Sequence, residues 1–156
     1  MGRYLTFWSD GQLFGVSITD VVQIVGMQKI TELPEYPAYA KGVVSLQGGI
    51  FPVIDVRLRL GRPEAPYNDR TCIIVASIQE SSFGFIVDEV DEVLDLPEEQ
   101  ITAPPRIKST DLNSYLTGIT RVKTDPSGNE KIILFVDMTK LLSEETFAAL
   151  FSTARL

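Results

Sequence analysis

Apolar and polar residues alternate in short runs along most of this chain, the period of two that marks a strand with one buried face. Tyr4 to Trp8 reads as a first strand and Leu13 to Ile18 as its return, with Asp10-Gly11 as the tight turn. Val21, Ile24 and Val25 continue the apolar pattern, and Pro34 and Pro37 punctuate a loop. Gly42 to Gln47 and Ile50 to Val56 form a second pair. Gly48-Gly49 is its expected turn, because a glycine pair accepts positive φ at both places. Arg62 to Arg70 (RPEAPYNDR) is polar, carries two prolines and reads as a connection. Thr71 to Ser77, a turn near Glu80 to Ser82, Phe83 to Val87 and Val90 to Leu94 follow, then a loop from Pro97 to Arg106. Thr117 to Lys123 and Lys131 to Met138 pair across the longer turn TDPSGNE. Only the end reads as a helix, over 143–153. Ser143 is its N-cap, Glu144 and Glu145 suit the positive first turn, and Phe147, Leu150 and Phe151 share one face.

The pattern occurs twice. FGVSITDVVQIV (Phe14 to Val25) matches FGFIVDEVDEVL (Phe83 to Leu94), YAKGVVSL (Tyr39 to Leu46) matches YLTGITRV (Tyr115 to Val122), and IFPVIDVRLRL (Ile50 to Leu60) matches IILFVDMTKLL (Ile132 to Leu142). The offset grows from 69 to 76 to 82, so order is kept while loops lengthen. Three matches in one order indicate a duplication. The chain is therefore read as one all-β body over 1–156, made of two units too small to stand comfortably alone. One unit spans about 14–70 and the other about 71–142, with strand exchange at the N-terminus.

Composition narrows the function. A net charge of −7 argues against nucleic acid and anionic membrane surfaces, and no apolar run approaches the roughly 18 residues of a membrane span. The chain has no His, the commonest general base and metal ligand. Its single cysteine, Cys72, sits in the apolar run TCIIVAS and reads as an inert buried thiol; with no disulfide framework, the expected compartment is the cytoplasm. Asp55 and Asp137 are equivalent in the two repeats. Their contexts, PVIDV and LFVDM, lack the Thr/Ser-Gly that follows the aspartates of an acid protease, so each is expected to accept hydrogen bonds where a strand ends. DEVDEVLDLPEE lacks the central glycine of a calcium loop and reads as a solvated strand face. Arg57, Arg59 and Arg62 read as a small solvated basic patch. Recognition is favoured over chemistry.

The stretch AYAKGVVSLQGGIFPVIDVRLRLG carries a resemblance. Lys41-Gly42, Ser45-Leu46-Gln47-Gly48 and Pro52-Val53-Ile54-Asp55 resemble the pattern of the CheW family of chemosensory adaptors, as do DEVLDLPEEQITAPP and YLTGI. The match runs from about Tyr4 to about Leu150. It implies two intertwined, SH3-like, five-stranded β-barrels with a C-terminal α-helix, and neither enzymatic activity nor a cofactor. It implies a cytoplasmic bridge at receptor arrays. One surface would bind the regulatory domain of a CheA-type histidine kinase, and a groove would grip the cytoplasmic tip of a chemoreceptor. The alternative is that regulatory domain itself, cut from such a kinase.

By the same resemblance, Val21, Gly42, Gln47 and Val93 fall at receptor-facing positions, and Ile18, Gln23, Thr102 and Ile107 at kinase-facing ones. Core packing competes with the groove for the two valines at even odds. Gly42 and Gly118 are most simply read as places that admit no side chain. Ile107, after Pro104-Pro105 in a polar loop, is the stronger candidate for an exposed anchor. The family usually has Arg at Gln47 and Glu at Gln23. Two amides remove both charges together and can still bond each other, which predicts that the two are neighbours.

Overall fold

The computed structural model describes residues 2–33, 36–104 and 115–142. The strands are β1 (Gly2–Ser9), β2 (Gln12–Ser17), β3 (Val21–Gly26), β4 (Ala40–Leu46), β5 (Gly49–Asp55), β6 (Cys72–Ile78), β7 (Ser81–Val87), β8 (Glu89–Leu96), β9 (Leu116–Lys123) and β10 (Glu130–Val136). Two one-turn helices, α1 (Val56–Arg59) and α2 (Met138–Leu141), follow β5 and β10. The all-β, two-barrel expectation holds. The helix read over 143–153 lies outside the described residues.

One barrel has the strand order β8-β1-β2-β10-β9 and the other β3-β6-β7-β5-β4. Neither unit is continuous in sequence. The hairpin β1–β2 joins β8, β9 and β10, while β6–β7 joins β3, β4 and β5. Exchange is thus mutual, not confined to the N-terminus, and the simple divide near residue 70 does not describe either barrel. The joins are the parallel pairs: Gly15 lies opposite Phe135, and Gly84 opposite Val53. These pairs are repeat equivalents. Each barrel is then closed by an isolated bridge, Thr31 to Val43 in one and Thr102 to Ile119 in the other.

The apolar residues sort into three layers. Val44, Phe51, Val53, Ile73, Val75 and Ile86 fill the interior of the β3–β7 barrel, and Leu13, Leu96, Ile133 and Phe135 that of the other. The largest cluster lies between them, with nineteen buried residues drawn from both sheets, among them Leu5, Phe7, Phe14, Val16, Ile54, Ile74, Phe83 and Phe85. Alternation explains the division. In β6, Ile73 and Val75 face the barrel interior while Ile74 and Ala76 face the other barrel. Strands buried on both faces read as nearly continuous apolar runs, as IIVA does. Each buried phenylalanine contributes about 1.5–3 kcal/mol relative to exposure, so the shared layer dominates the apolar stabilisation. Cys72 is half-buried at the margin of that layer rather than fully buried, with its Sγ 3.3 Å from the Arg70 carbonyl.

Turn positions depart from the sequence reading. The β4–β5 turn is Gln47-Gly48, one residue earlier than Gly48-Gly49, with φ of 51° and 80°. The β6–β7 turn is Gln79-Glu80, at 50° and 66°. Asp10-Gly11 holds as read, at 49° and 78°. All three have two-residue loops with positive φ at both positions, the geometry that matches strand twist. Register, fixed by which residues must face inward, overrides the count of glycines. The longer β9–β10 turn is organised by Asp125, whose carboxylate is held below its ordinary range by Ser127 and Asn129.

Gly15 and Gly84 are close-approach sites. A Cβ on Gly15 would lie 2.8 Å from the Phe135 ring, and one on Gly84 2.8 Å from both Ile73 and Val53. Gly84→Ala is expected to destabilise the fold by about 1–3 kcal/mol through overpacking. Urea unfolding of the variant checks this, and a midpoint equal to the parent's would refute it.

Candidate functional site

Asp55 and Asp137 end β5 and β10 and cap the helices behind them. The Asp55 carboxylate accepts from the Leu58 amide at 3.3 Å and the Asp137 carboxylate from the Thr139 amide at 2.8 Å. This is the strand-end role expected of both. Asp55 is buried and also accepts the Tyr67 hydroxyl at 2.7 Å. Tyr67 thereby anchors the connection between repeats, which sequence reading treated as a plain link.

Arg57 and Arg59 are not part of a solvated patch, whereas Arg62 is exposed and lies 3.7 Å from Asp10. Arg57 donates to both Asp88 oxygens, at 2.7–3.0 Å, and to Asp10 at 3.1 Å. Its guanidinium is held above its ordinary pKa, first by the hydrogen bond to Asp88. Asp88 accepts the Asp10 amide as well, so α1 of one barrel is tied to the β1–β2 turn of the other. Fork geometry to a carboxylate makes such a pair directional. Three of the four acids of β8 lie near a cation: Asp91 and Glu92 share Lys131, at 2.9 and 3.7 Å, and Asp95 pairs with Arg3 at 2.9 Å. Fully buried Thr6 sits at a bulge between β1 and β8, where its hydroxyl donates to the Glu92 carbonyl and accepts the Glu92 amide.

Ile18 opens a 3-10 turn between β2 and β3, and Ile18 and Val21 both pack half-buried on the inter-barrel core. Val93, on β8 opposite Leu5, is 49% exposed. The two valines therefore part company: Val21 serves packing, and Val93 faces solvent. Gln23 lies half-buried in β3, in one cross-strand row with Val75, Gly84, Val53 and Gly42. Gln47 sits apart from that row, at the tip of the β4–β5 hairpin. Among the described residues no hydrogen bond joins the two amides. Gly42 admits no side chain: its φ is +145°, and a Cβ would meet the Thr31 carbonyl oxygen at 2.1 Å. Gly118, its repeat equivalent, lacks the positive φ, and a Cβ there would crowd the Ile101 side chain at 2.5 Å and the Thr102 carbonyl oxygen at 3.3 Å. Thr102 is itself the closing bridge, and its hydroxyl donates to the Ile119 carbonyl at 3.1 Å. Ile107 lies outside the described residues.

One feature escaped the sequence reading. Among the described residues, four of the five large exposed apolar side chains come in repeat-related pairs, Ile24 with Val93 and Ile50 with Ile132. The repeat alignment alone could have flagged them. Ile132 borders a shallow groove with Thr102, Ile119 and Arg121. Among the described residues there is no group of His, Cys, Asp and Glu arranged to hold a metal, and no helix is long and apolar enough to cross a membrane.

Burial, then the bond to Asp55, push the Tyr67 phenol well above its ordinary pKa. A group that holds its proton more tightly when folded stabilises the fold below its unfolded pKa, about 10 for tyrosine, and loses that contribution as pH rises further. Tyr67→Phe should cost about 1–3 kcal/mol at neutral pH by leaving Asp55 short of a donor. The gap between parent and variant in urea unfolding should shrink above about pH 10; a gap independent of pH would contradict the assignment.

Comparison with known proteins agrees with this architecture. The family model described as a CheW-like domain matches residues 3–146. The chain is 32% identical to the chemotaxis protein CheW of Klebsiella aerogenes, over 98% of this chain and 89% of that one. It is 29% identical to the Bacillus subtilis chemotaxis protein CheW, over 92% and 88%. The crystal structure of the scaffolding protein TtCheW from Thermoanaerobacter tengcongensis superposes with a TM-score of 0.80 at 31% identity, covering 93% of this chain and 94% of that one. The chain therefore belongs to the CheW-like family of chemotaxis scaffold and adaptor proteins, which are not enzymes.

Proposed function

We propose that this chain couples chemoreceptors to a CheA-type histidine kinase, in the cytoplasm at receptor arrays. The reading is carried by family membership over residues 3–146 together with two barrels fused through one shared core. A body of that kind can hold two partners in a fixed relation, which separate domains on a linker cannot.

On this reading Val93 contacts the receptor tip through its exposed face, with Val21, Gly42 and Gln47 shaping the surface around it. Val93 stands among acids that Lys131 and Arg3 compensate in part, so the apolar contact has an acidic rim. Ile18, Gln23, Thr102 and Ile107 face the kinase. Apolar anchors of this sort carry most of the affinity of modest, exchangeable interfaces. The alternative, the regulatory domain of a kinase, shares the fold. The matched relatives of similar length are adaptors, which favours the first reading.

Pull-down with a purified kinase regulatory domain and a receptor cytoplasmic fragment tests this. Val93→Asp should weaken receptor binding about tenfold or more and spare the kinase, and Ile107→Asp should do the reverse. An intact chain that captures neither partner would refute the proposal.

A further inference from the structure

We propose that Arg59 is a positioning residue that fixes the angle between the two barrels, and with it the geometry in which the partner surfaces are presented; the second half of this statement rests on the function proposed above. In the repeat, Arg59 and Leu141 are equivalent residues at the ends of α1 and α2. Equivalent residues of two related units touch only beside the axis that relates them. These two do touch: the Arg59 Nε donates to the Leu141 carbonyl. The guanidinium carbon lies 5.7 Å from the Tyr39 ring centre and 5.8 Å from that of Tyr115, and these tyrosines are repeat equivalents too. One cation is thus shared almost equally by both halves.

The connection to each barrel is short. The Tyr39 carbonyl accepts the Asp55 amide at 2.8 Å, and the Tyr115 carbonyl accepts the Asp137 amide at 3.0 Å. Those aspartates cap α1 and α2. Arg59 therefore touches both strand-end caps through matching paths. The surrounding layer is apolar, and apolar burial is non-directional: it resists separation of the barrels more than it resists their rotation. A planar cation facing two rings and one carbonyl adds a directional tie at the axis itself, apart from the one that Arg57 makes with Asp88 and Asp10. Leu141 offers only its backbone to the contact, so Arg59 has no charged repeat equivalent.

The test compares Arg59→Met, which keeps length without charge, with Arg59→Lys, which keeps charge without the planar fork. Spin labels on cysteines placed at exposed Ser45 and Arg121, one on each barrel, in a Cys72→Ser background, report the inter-barrel distance. Arg59→Met should broaden or shift that distribution while leaving binding to each isolated partner unchanged. In an assembly with both partners it should lower receptor control of the kinase about tenfold, within the usual range of such couplings. Arg59→Lys should fall between parent and Arg59→Met in both readouts. Distributions in both variants that match the parent's would overturn the proposal, as would equal losses of binding to both partners with parental geometry. If the parent bound neither partner, the adaptor reading would fail, but the distance measurement would still decide the role of Arg59.

Discussion

Everything in this molecule depends on the apolar layer between the barrels. Each barrel interior is small, and the residues that hold the two together outnumber the contents of both interiors among the described residues. Because β1–β2 and β6–β7 each belong to the opposite barrel, the layer is crossed by covalent chain as well as by packing. Neither barrel can loosen alone without exposing phenylalanines of the other. That constraint is why the seam is so heavily furnished with polar ties: Arg57 to Asp88 and Asp10, Arg59 to Leu141, and the paired caps Asp55 and Asp137. Apolar burial supplies the energy, and these bonds supply the direction.

Much of the fold was legible in the sequence because duplication doubles the signal. An alternating run can be mistaken once; the same run in the same order twice is hard to misread, and the strand content and barrel count followed from it. The partner of a parallel strand is another matter. Nothing in FGVS or LFVD says that residues 13–15 lie beside 133–135, because side-chain alternation fixes which face a residue takes and not which strand it meets. The mutual exchange was therefore only half anticipated. The β4–β5 turn was misplaced by one residue for a related reason: Gln47 adopts positive φ because the inward positions of Phe51 and Val53 demand that register.

The candidate site was read less well than the fold. Positions taken from the family resemblance differ in their structural duty: Val93 is exposed, Val21 and Ile18 are half core, Gly42 packs against Thr31, and Thr102 closes a barrel. A barrel offers few surface positions free of structural duty. Charged side chains were the weakest point. Local sequence gave Arg57 no partner, since Asp88 lies across the seam, 31 residues away. Tyr67 showed no signal for its bond to Asp55, because a tyrosine in a proline-containing link looks the same whether anchored or loose.

Strand exchange also sets a timetable for synthesis. Ile133 must pair with Leu13, a separation of 120 residues. At a ribosomal rate of roughly 5–20 residues per second, the first hairpin waits on the order of 6–24 s for its parallel neighbour. For the first part of that interval, until Ile54, Ile74, Phe83 and Phe85 are made, Leu5, Phe7, Phe14 and Val16, all buried in the finished protein, have no opposing layer. The nascent chain must spend this period as an unclosed, apolar sheet fragment, the kind of species that chaperones hold and that edge-to-edge association threatens. The same interleaving that makes the mature body act as one piece therefore transfers the hazard from the finished molecule to its birth.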